Sequence, residues 1–579
     1  MEPLNQPYRS ALLSRRRFLA GASGAVVAAI LSACGGASAT PTTTASQTTP
    51  TAVPTAAPVG VPPTAPASPA AAPAGSSPQP TVAVAASPSA AAGKPGGTKT
   101  FRVAVLGDLT DIDPAHITNQ NDYQIAETIF NYMARHTYNP PLGTAINPEL
   151  AEWEVQDGAK TYIFHLKKGV QFHYGYGELT AADVKSGWEH IKDQKTGSPY
   201  RNDFLDGTID VIDPYTIKIS FSQPYPAFIP ASLAFRPGFV VSSKAFAELG
   251  TKWNTRPIGS GPFMFDTYQA ATSLTVKRNP DYWGTKPKID QVVWKMRVDD
   301  RAAVLAIAKG ELDAYYIADP DVALGVAKNP DPNTHFFKSQ FGQSPWSASF
   351  NMKRKPLDDV RVRQALRYAI DNNAIAKDLF GGLADPIQSF LPPFMFGYNA
   401  DVTPRFDYNP DKARQLLKEA NVPADWAPTA MTVSALVISR RILEAVASYW
   451  KDVGVNVKVD EIEQGLYNQR SLSGDYDMNA NYISRIDPDQ IATPSFRSTT
   501  NRNGYTGADD LIDQARAEPD TDKRAQLYHQ LQNKISQDSP AAFVVAVSEH
   551  LLLNKRVTGI AGAGWQERYD WFNVDVPAE

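Results

Sequence analysis

The chain has 579 residues, of which 43% are hydrophobic and 10% are aromatic. It is too long for one hydrophobic core and should hold two or three domains. The formal net charge of −4 argues against nucleic-acid binding, which usually requires a basic surface. A single cysteine, Cys34, excludes an intramolecular disulfide framework and needs another explanation.

The N-terminus carries three signals in the order of an export sequence. Three arginines within residues 14–20 precede an apolar run at 25–31, which is shorter than the about 20 residues that span a bilayer. The run ends in Leu31-Ser32-Ala33-Cys34. This segment resembles a twin-arginine signal followed by a lipobox, which implies a signal peptide at 1–33 and lipidation of Cys34. The alternative is an uncleaved anchor with an incidental cysteine.

Residues 35–97 are mostly Ala, Pro, Thr, Ser and Gly, without an aromatic side chain. Such a composition cannot bury enough apolar area to offset the entropy of ordering, so we expect a disordered tether. At ~3.1 Å per residue it would extend on the order of 200 Å.

The folded sequence begins near residue 98. Residues 101–106 alternate as a strand does, and residues 122–134 predict a helix with Asn121 or Asp122 as its cap. The apolar side chains at helical spacing in that helix are Ile125, Ile129, Tyr132 and Met133.

Residues 150–173 predict a half-buried hairpin. Asp157-Gly158 lies between two alternating runs and favours a reversal of the chain. The second run places Tyr162, Phe164 and Leu166 on one face and polar residues, apart from Ile163, on the other.

No catalytic motif accompanies these elements. Neither Gly-x-Ser-x-Gly nor His-Glu-x-x-His occurs, and no cofactor or resident metal is expected. His165 and His173 have no metal-ligand spacing, so surface or loop positions are predicted. An exported hydrolase remains a remote alternative.

Several blocks resemble the extracytoplasmic solute-binding proteins of family 5, the peptide and nickel type that serve ABC importers. They are residues 150–173, 179–188, 257–263, 357–371 and 408–420. The 357–371 block predicts a helix whose Arg361, Arg363 and Arg367 form a solvated or salt-bridged face. The resemblance covers about 100 to 560.

The resemblance implies an α/β fold of the periplasmic-binding-protein-like type II, with two hinged lobes and an accessory domain. The implied layout, after the signal and tether, is lobe I at 98–141, 235–347 and 540–579, the accessory domain at 142–234, and lobe II at 348–539.

The same resemblance supplies candidate ligand contacts. In family 5 the segment that leads into the first helix borders the cleft, which suggests Asn119, Asn121 and Tyr123. Tyr482 is a candidate aromatic wall, and Trp346 is a candidate with core packing as the alternative.

The strand after residue 477 departs from the peptide-binding relatives. There an aspartate pairs with the ammonium of the peptide, whereas alignment on Asp487-Pro488-Asp489 places Ser484 at that position and Arg485 beside it. A guanidinium in place of a carboxylate favours an anionic or polyhydroxy ligand. The alternative is that Arg485 pairs with Asp487 or points away.

The sequence thus predicts a lipid-anchored, extracytoplasmic receptor, expected to be a monomer and not an enzyme. It would capture an oligopeptide-like solute between its lobes and deliver it to an ABC permease in the membrane. A non-peptide ligand, such as an anionic metabolite, a sugar or a nickel chelate, is the alternative. No nucleic-acid partner is expected.

Overall fold

The computed structural model describes residues 97–136, 146–340, 342, 344–434, 436–482, 485–564 and 568–579. The predicted signal peptide, Cys34 and the tether up to residue 96 lie outside the described residues. No helix in the described ranges is long and apolar enough to cross a membrane.

The described strands, in chain order, are β1 Thr100–Ala104, β2 Asn131–Tyr132, β3 Ala134–His136, β4 Ile146–Pro148, β5 Ala151–Gln156, β6 Thr161–Leu166, β7 Thr208–Asp213, β8 Thr216–Ser220, β9 Phe239–Val240, β10 Phe263–Gln269, β11 Ser273–Arg278, β12 Gln291–Lys295, β13 Ala314–Tyr316, β14 Thr334–Lys338, β15 Ser344–Phe350, β16 Ala384–Pro386, β17 Thr429–Val433, β18 Lys458–Ile462, β19 Met478–Tyr482, β20 Ala541–Val547 and β21 His550–Asn554.

The described α-helices are α1 Gln120–Ile129, α2 Ala181–Lys192, α3 Arg201–Phe204, α4 Ser243–Leu249, α5 Asp300–Ala308, α6 Pro320–Lys328, α7 Val360–Tyr368, α8 Asn372–Ala374, α9 Pro410–Glu419, α10 Val437–Asp452, α11 Gln464–Ser473, α12 Asp489–Phe496, α13 Asp509–Ala517 and α14 Thr521–Asp538.

Lobe I is built on a seven-stranded sheet in the order β10-β11-β12-β1-β13-β21-β14. The central strand β1 runs parallel to β12 and β13, and β21 runs antiparallel to β13 and β14. Phe101 and Val103 of β1 are fully buried, as the predicted alternation requires. Because the strands come from distant parts of the sequence, the chain leaves lobe I and returns to it.

Lobe II is built on a six-stranded sheet in the order β16-β20-β15-β19-β17-β18. β15 pairs antiparallel with both β19 and β20. β20 falls in the stretch that the sequence assigned to lobe I, yet its ladder with β15 places it in this sheet. Every residue of β20 is buried, as expected of an apolar strand covered on both faces.

The accessory domain contains the predicted hairpin in a four-stranded antiparallel sheet, β5-β6-β8-β7. Tyr162, Phe164 and Leu166 are buried on one face, which confirms the predicted face of β6. The hairpin turns through three successive positive φ angles at Asp157, Gly158 and Ala159.

The first helix is shorter than predicted. It ends at Ile129, and Phe130 is already extended with φ −107° and ψ 159°. Tyr132, predicted as helical, instead pairs with Phe239 between β2 and β9. Helical spacing continues past Ile129, but tertiary strand pairing overrides it there.

The prediction of a solvated arginine face on α7 is wrong for two of its three members. Arg361 is exposed and ion-paired with Asp359, whereas Arg363 and Arg367 are only 6% and 4% exposed. Arg363 donates to the carbonyl oxygen of Asp538 at 2.8 Å, and Arg367 donates to that of Ser536 at 2.9 Å. These guanidiniums therefore bind orphan carbonyls at the C-terminal end of α14.

Substitution of Gly259 by alanine should lower the free energy of unfolding by about 3 kcal/mol, because the added carbon has no room. An ideal Cβ at Gly259 would lie 2.1 Å from the carbonyl oxygen of Ile129. Gly187 in α2 is the control, since a Cβ there meets nothing within 4 Å and alanine favours a helix. Urea unfolding followed by circular dichroism measures both variants, and an equal response would contradict the steric argument.

Candidate functional site

The loop between β19 and α12 carries the sequence departure noted above. β19 runs parallel to β17 and antiparallel to β15, with Tyr482 opposite Trp346. Its apolar side chains hold it in place, since Met478 is fully buried and Ala480 is 6% exposed. The chain described from residue 485 leads into α12. Ser484 lies outside the described residues, and Arg485 is the first described residue of the loop.

Arg485 is half-buried, and the charge of a second arginine, Arg236, acts on it. Burial lowers the pKa of Arg485, the charge of Arg236 lowers it further, and Tyr200 and Asp203 oppose the change. These three neighbours precede lobe II in the sequence, so Arg485 lies where lobe II meets the rest of the protein. Two guanidiniums in a desolvated place favour an anion between them.

Arg236 is fixed by the segment that leads into α1. It is 7% exposed and donates from Nη1 to the carbonyl oxygen of Thr118 at 2.6 Å and from Nη2 to Oε1 of Gln120 at 3.2 Å. Its guanidinium lies 4.9 Å from the ring centroid of Tyr123. Its buried Nε has no hydrogen-bond partner among the described residues.

The three ligand-contact candidates near α1 lie in or next to the segment that holds Arg236. Asn119 is the N-cap, since its side chain accepts a hydrogen bond from the backbone N–H of Asp122 at 2.9 Å. The predicted cap at Asn121 or Asp122 is therefore wrong by two or three residues. Tyr123 is fully buried, receives a hydrogen bond from the Tyr132 hydroxyl at 2.8 Å, and has its pKa raised to about 12 by burial. Asn121 is half-buried. Contact of these residues with a ligand stays a prediction.

Trp346 and Asp487 have structural partners. Trp346 is fully buried in lobe II and donates from Nε1 to Oγ of Ser439 at 3.0 Å. Asp487 is 3% exposed and accepts two hydrogen bonds from Arg524, at 2.6 and 3.0 Å. This pair anchors the loop two residues after Arg485.

Lobe II touches the accessory domain close to Arg485. Gln490 donates from Nε2 to the carbonyl oxygen of Ala231 at 2.9 Å. The guanidinium of Arg516 lies 4.9 Å from the ring centroid of Tyr225. A solute beside Arg485 would therefore lie between parts of the chain that are already in contact.

Comparison with known proteins agrees with this architecture. The family model of bacterial extracellular solute-binding proteins, family 5, matches residues 145–504. The chain is 31% identical over 454 residues to the dipeptide-binding protein of Escherichia coli (strain K12), covering 72% of this chain and 84% of that protein. This chain belongs to solute-binding protein family 5. It is a substrate-binding component of the ABC peptide importer family.

Solved structures show the same fold for this solute-binding protein. DppA of Helicobacter pylori, in complex with the peptide STSA, is 24% identical with a TM-score of 0.71, covering 83% of this chain and 99% of that one. The protein AgaA of A. tumefacien R10, in complex with agropinic acid, is 26% identical with a TM-score of 0.71, covering 82% and 98%. The predicted fold class is confirmed, and the relatives are solute-binding proteins rather than enzymes.

The sequence did not single out Arg236, Tyr200 or Asp203 as members of this site in the solute-binding protein. Arg236 had a usable signal, since it is the only charge in the apolar run 229–241. A charge in such a run is seldom buried without a partner. Tyr200 and Asp203 carried no comparable signal, because they lie in a polar segment and meet Arg485 only through the fold.

Of the two histidines predicted at surface or loop positions, His165 is at the surface, and His173 lies in the connection after β6 but is buried there. The His165 side chain is 48% exposed, whereas His173 is 2% exposed, and its Nε2 lies 3.0 Å from the carbonyl oxygen of Gly261. Among the described residues, no group of three or more His, Cys, Asp or Glu side chains could hold a metal ion.

Proposed function

We propose that this protein is the lipid-anchored receptor of an ABC importer and captures a small solute with a free carboxylate, of dipeptide size. Lipidation of Cys34 would hold the receptor at the outer face of the membrane, and the tether would let it reach the permease. The observation that carries the choice of ligand is that Arg485 and Arg236 act on each other electrostatically where lobe II meets the rest of the protein.

Electrostatics supports a carboxylate at this position. Burial and the charge of Arg236 both lower the pKa of Arg485, so its surroundings disfavour the charge it carries. A bound carboxylate would reverse that effect, since hydrogen bonds between a guanidinium and a carboxylate are both charge-assisted and geometrically matched. A solute touching Arg485 and Arg236 would bridge the two sides and favour the closed form through differential affinity.

The named ligands of the relatives agree with an acidic solute. The Escherichia coli relative is named for dipeptides, which end in a carboxylate, and AgaA holds agropinic acid. The arginines would serve either class of ligand. We place the dipeptide first because the relative that is 31% identical is named for it.

Titration calorimetry of the full chain with L-alanyl-L-alanine and with its C-terminal amide tests the proposal. The free acid should bind, and the amide should bind at least about tenfold more weakly, because it loses a charge-assisted contact worth about 1.5–3 kcal/mol. Arg485→Gln should remove the preference. Arg414→Gln is the matched control, since Arg414 forms an exposed pair with Asp411 on α9. Equal binding of acid and amide by the unmodified chain would refute a carboxylate site.

A further inference from the structure

A cavity of about 420 Å³ lies between the accessory domain and the helices of lobe II. It is many times larger than the ~30 Å³ that one water occupies in the liquid, so it has room for a side chain of several heavy atoms. Its lining includes Asp203, Asp206, Phe221, Tyr225, Arg497 and Arg516.

The two arginines of the cavity already have carboxylate partners. Arg497 pairs with Asp513, with Nε 3.0 Å from Oδ1. Arg516 lies 3.5 Å from Asp489 and stacks on Tyr225. Neither guanidinium is therefore an unsatisfied positive charge that would attract an anion.

Within the described residues, the two aspartates from the accessory domain have uncharged hydrogen-bond partners. Asp203 accepts a hydrogen bond from the Ser232 hydroxyl at 3.0 Å, and Asp206 accepts from the Ser222 backbone N–H at 2.9 Å and from the Ser222 hydroxyl at 2.6 Å. No ion pair within 4.0 Å reaches either carboxylate in the described part of the chain. Arg516 acts on Asp203 and Lys192 acts on Asp206 only beyond ion-pair distance, so this acidic side of the cavity favours a cation.

Burial makes that charge costly at Asp203. Desolvation raises the pKa of Asp203 to about 6, and the residue is half-buried rather than fully enclosed. A carboxylate that is crowded by protein but still accessible fits the wall of a cavity. A cation brought there by a solute would favour the ionised form.

The remaining wall is apolar. Phe221 and Tyr225 are 8% and 6% exposed and lie beside Pro224, so they can contact a methylene chain. An aliphatic stem that ends in a positive charge matches this combination, because the stem buries apolar area while its head group meets the carboxylates.

The cavity adjoins the loop that carries Arg485. Arg516 in the cavity wall lies 3.5 Å from Asp489, and Oε1 of Gln490 accepts the backbone N–H of Ile486, the residue after Arg485, at 3.2 Å. A carboxylate held at Arg485 would therefore leave the neighbouring side chain of the same solute close to the cavity.

We infer that this cavity is a side-chain pocket that selects a basic residue at the carboxyl end of a peptide-like solute, with Asp203 and Asp206 receiving its ammonium or guanidinium group. The inference rests on the proposed function, since the carboxylate at Arg485 orients the solute. Because the pocket has walls from both the accessory domain and lobe II, a solute in it also favours their contact.

Three dipeptides test the pocket by titration calorimetry of the full chain: L-alanyl-L-lysine, L-alanyl-L-norleucine and L-alanyl-L-glutamate. The lysine peptide should bind at least about tenfold more tightly than the norleucine peptide, and the glutamate peptide should bind most weakly. Asp203→Asn should bring the preference for lysine over norleucine below about threefold, whatever its effect on the affinity that both peptides share through Arg485.

Two further variants separate a loss of the preference for lysine from a general loss of folding. Asp210→Asn is the matched control, since Asp210 pairs with Lys218 on the surface of the same domain. Gln223→Lys introduces a positive charge at an exposed position of the cavity wall and should abolish the preference for lysine. A preserved preference in Asp203→Asn and Gln223→Lys would overturn the pocket.

The outcomes separate this inference from the proposed function. Equal affinity for the lysine and norleucine peptides, with both affinities lost in Arg485→Gln, would overturn the pocket and leave the carboxylate site standing. Failure of all three dipeptides to bind would contradict both.

Discussion

Replacement of Arg524 by methionine should lower the free energy of unfolding by about 4 kcal/mol, because it leaves the Asp487 carboxylate buried without its partner. The two side chains are 8% and 4% exposed, and Nη2 of Arg524 lies 2.6 Å from Oδ1 of Asp487. Methionine keeps much of the volume, so the loss reports the charge rather than a cavity. Urea unfolding followed by circular dichroism and tryptophan fluorescence measures it.

The same variant should also weaken solute binding. Asp487 lies two residues after Arg485, and its carboxylate additionally accepts the backbone N–H of Asp489 at 2.9 Å. Release of Asp487 would loosen the loop that presents Arg485, so affinity for L-alanyl-L-alanine should fall even where the variant is still folded. The buried pair therefore connects stability to recognition.

Two comparisons decide whether the buried charge causes the loss. The double variant Arg524→Met with Asp487→Leu should regain most of the lost stability, since no uncompensated carboxylate remains. Arg414→Met breaks an exposed pair and should cost less than about 1 kcal/mol. A loss in the double variant as large as in Arg524→Met would contradict an electrostatic cause.

The elements predicted best are those whose sequence pattern and packing agree. The hairpin of β5 and β6 combines alternation with an Asp-Gly turn, and its apolar face is the buried one. The predicted α1 is too long because Tyr132 and Met133 continue the helical spacing, whereas in the structure β2 pairs with β9, about a hundred residues later. The local spacing of apolar residues carries no information about strand pairing between residues so far apart in the sequence.

Buried charges were predicted least well. Arg363 and Arg367 are charged residues typical of a solvated helix face. Their hydrogen-bond acceptors are backbone carbonyl oxygens at the end of α14, about 170 residues later, which the local sequence cannot indicate. At the site, the sequence identifies Arg485 because this residue differs from the resembled family. It does not identify Arg236, because the relation of Arg236 to Arg485 exists only after lobe II meets the rest of the protein.

Acidification from about pH 6.5 to pH 4 should destabilise this protein steeply, through three buried histidines. Burial lowers the pKa values of His136, His173 and His550 from 6.5 to about 4 in each case. The unfolded chain then binds more protons than the folded one, so the stability present above pH 6.5 is lost as the pH falls. Each histidine accounts for about 3 kcal/mol over that range. Urea midpoints measured at intervals between pH 7.5 and pH 4 test this.

His173→Gln should reduce the steepness of that loss by about one third, because one of three equivalent contributions disappears. Its Nε2 lies near the Gly261 carbonyl oxygen, while Nδ1 has no partner among the described residues, so protonation would add a charge with little compensation. His165→Gln is the control, since His165 is largely exposed and should leave the pH profile unchanged. If the two variants shift the profile equally, burial of His173 is not the source of the acid sensitivity.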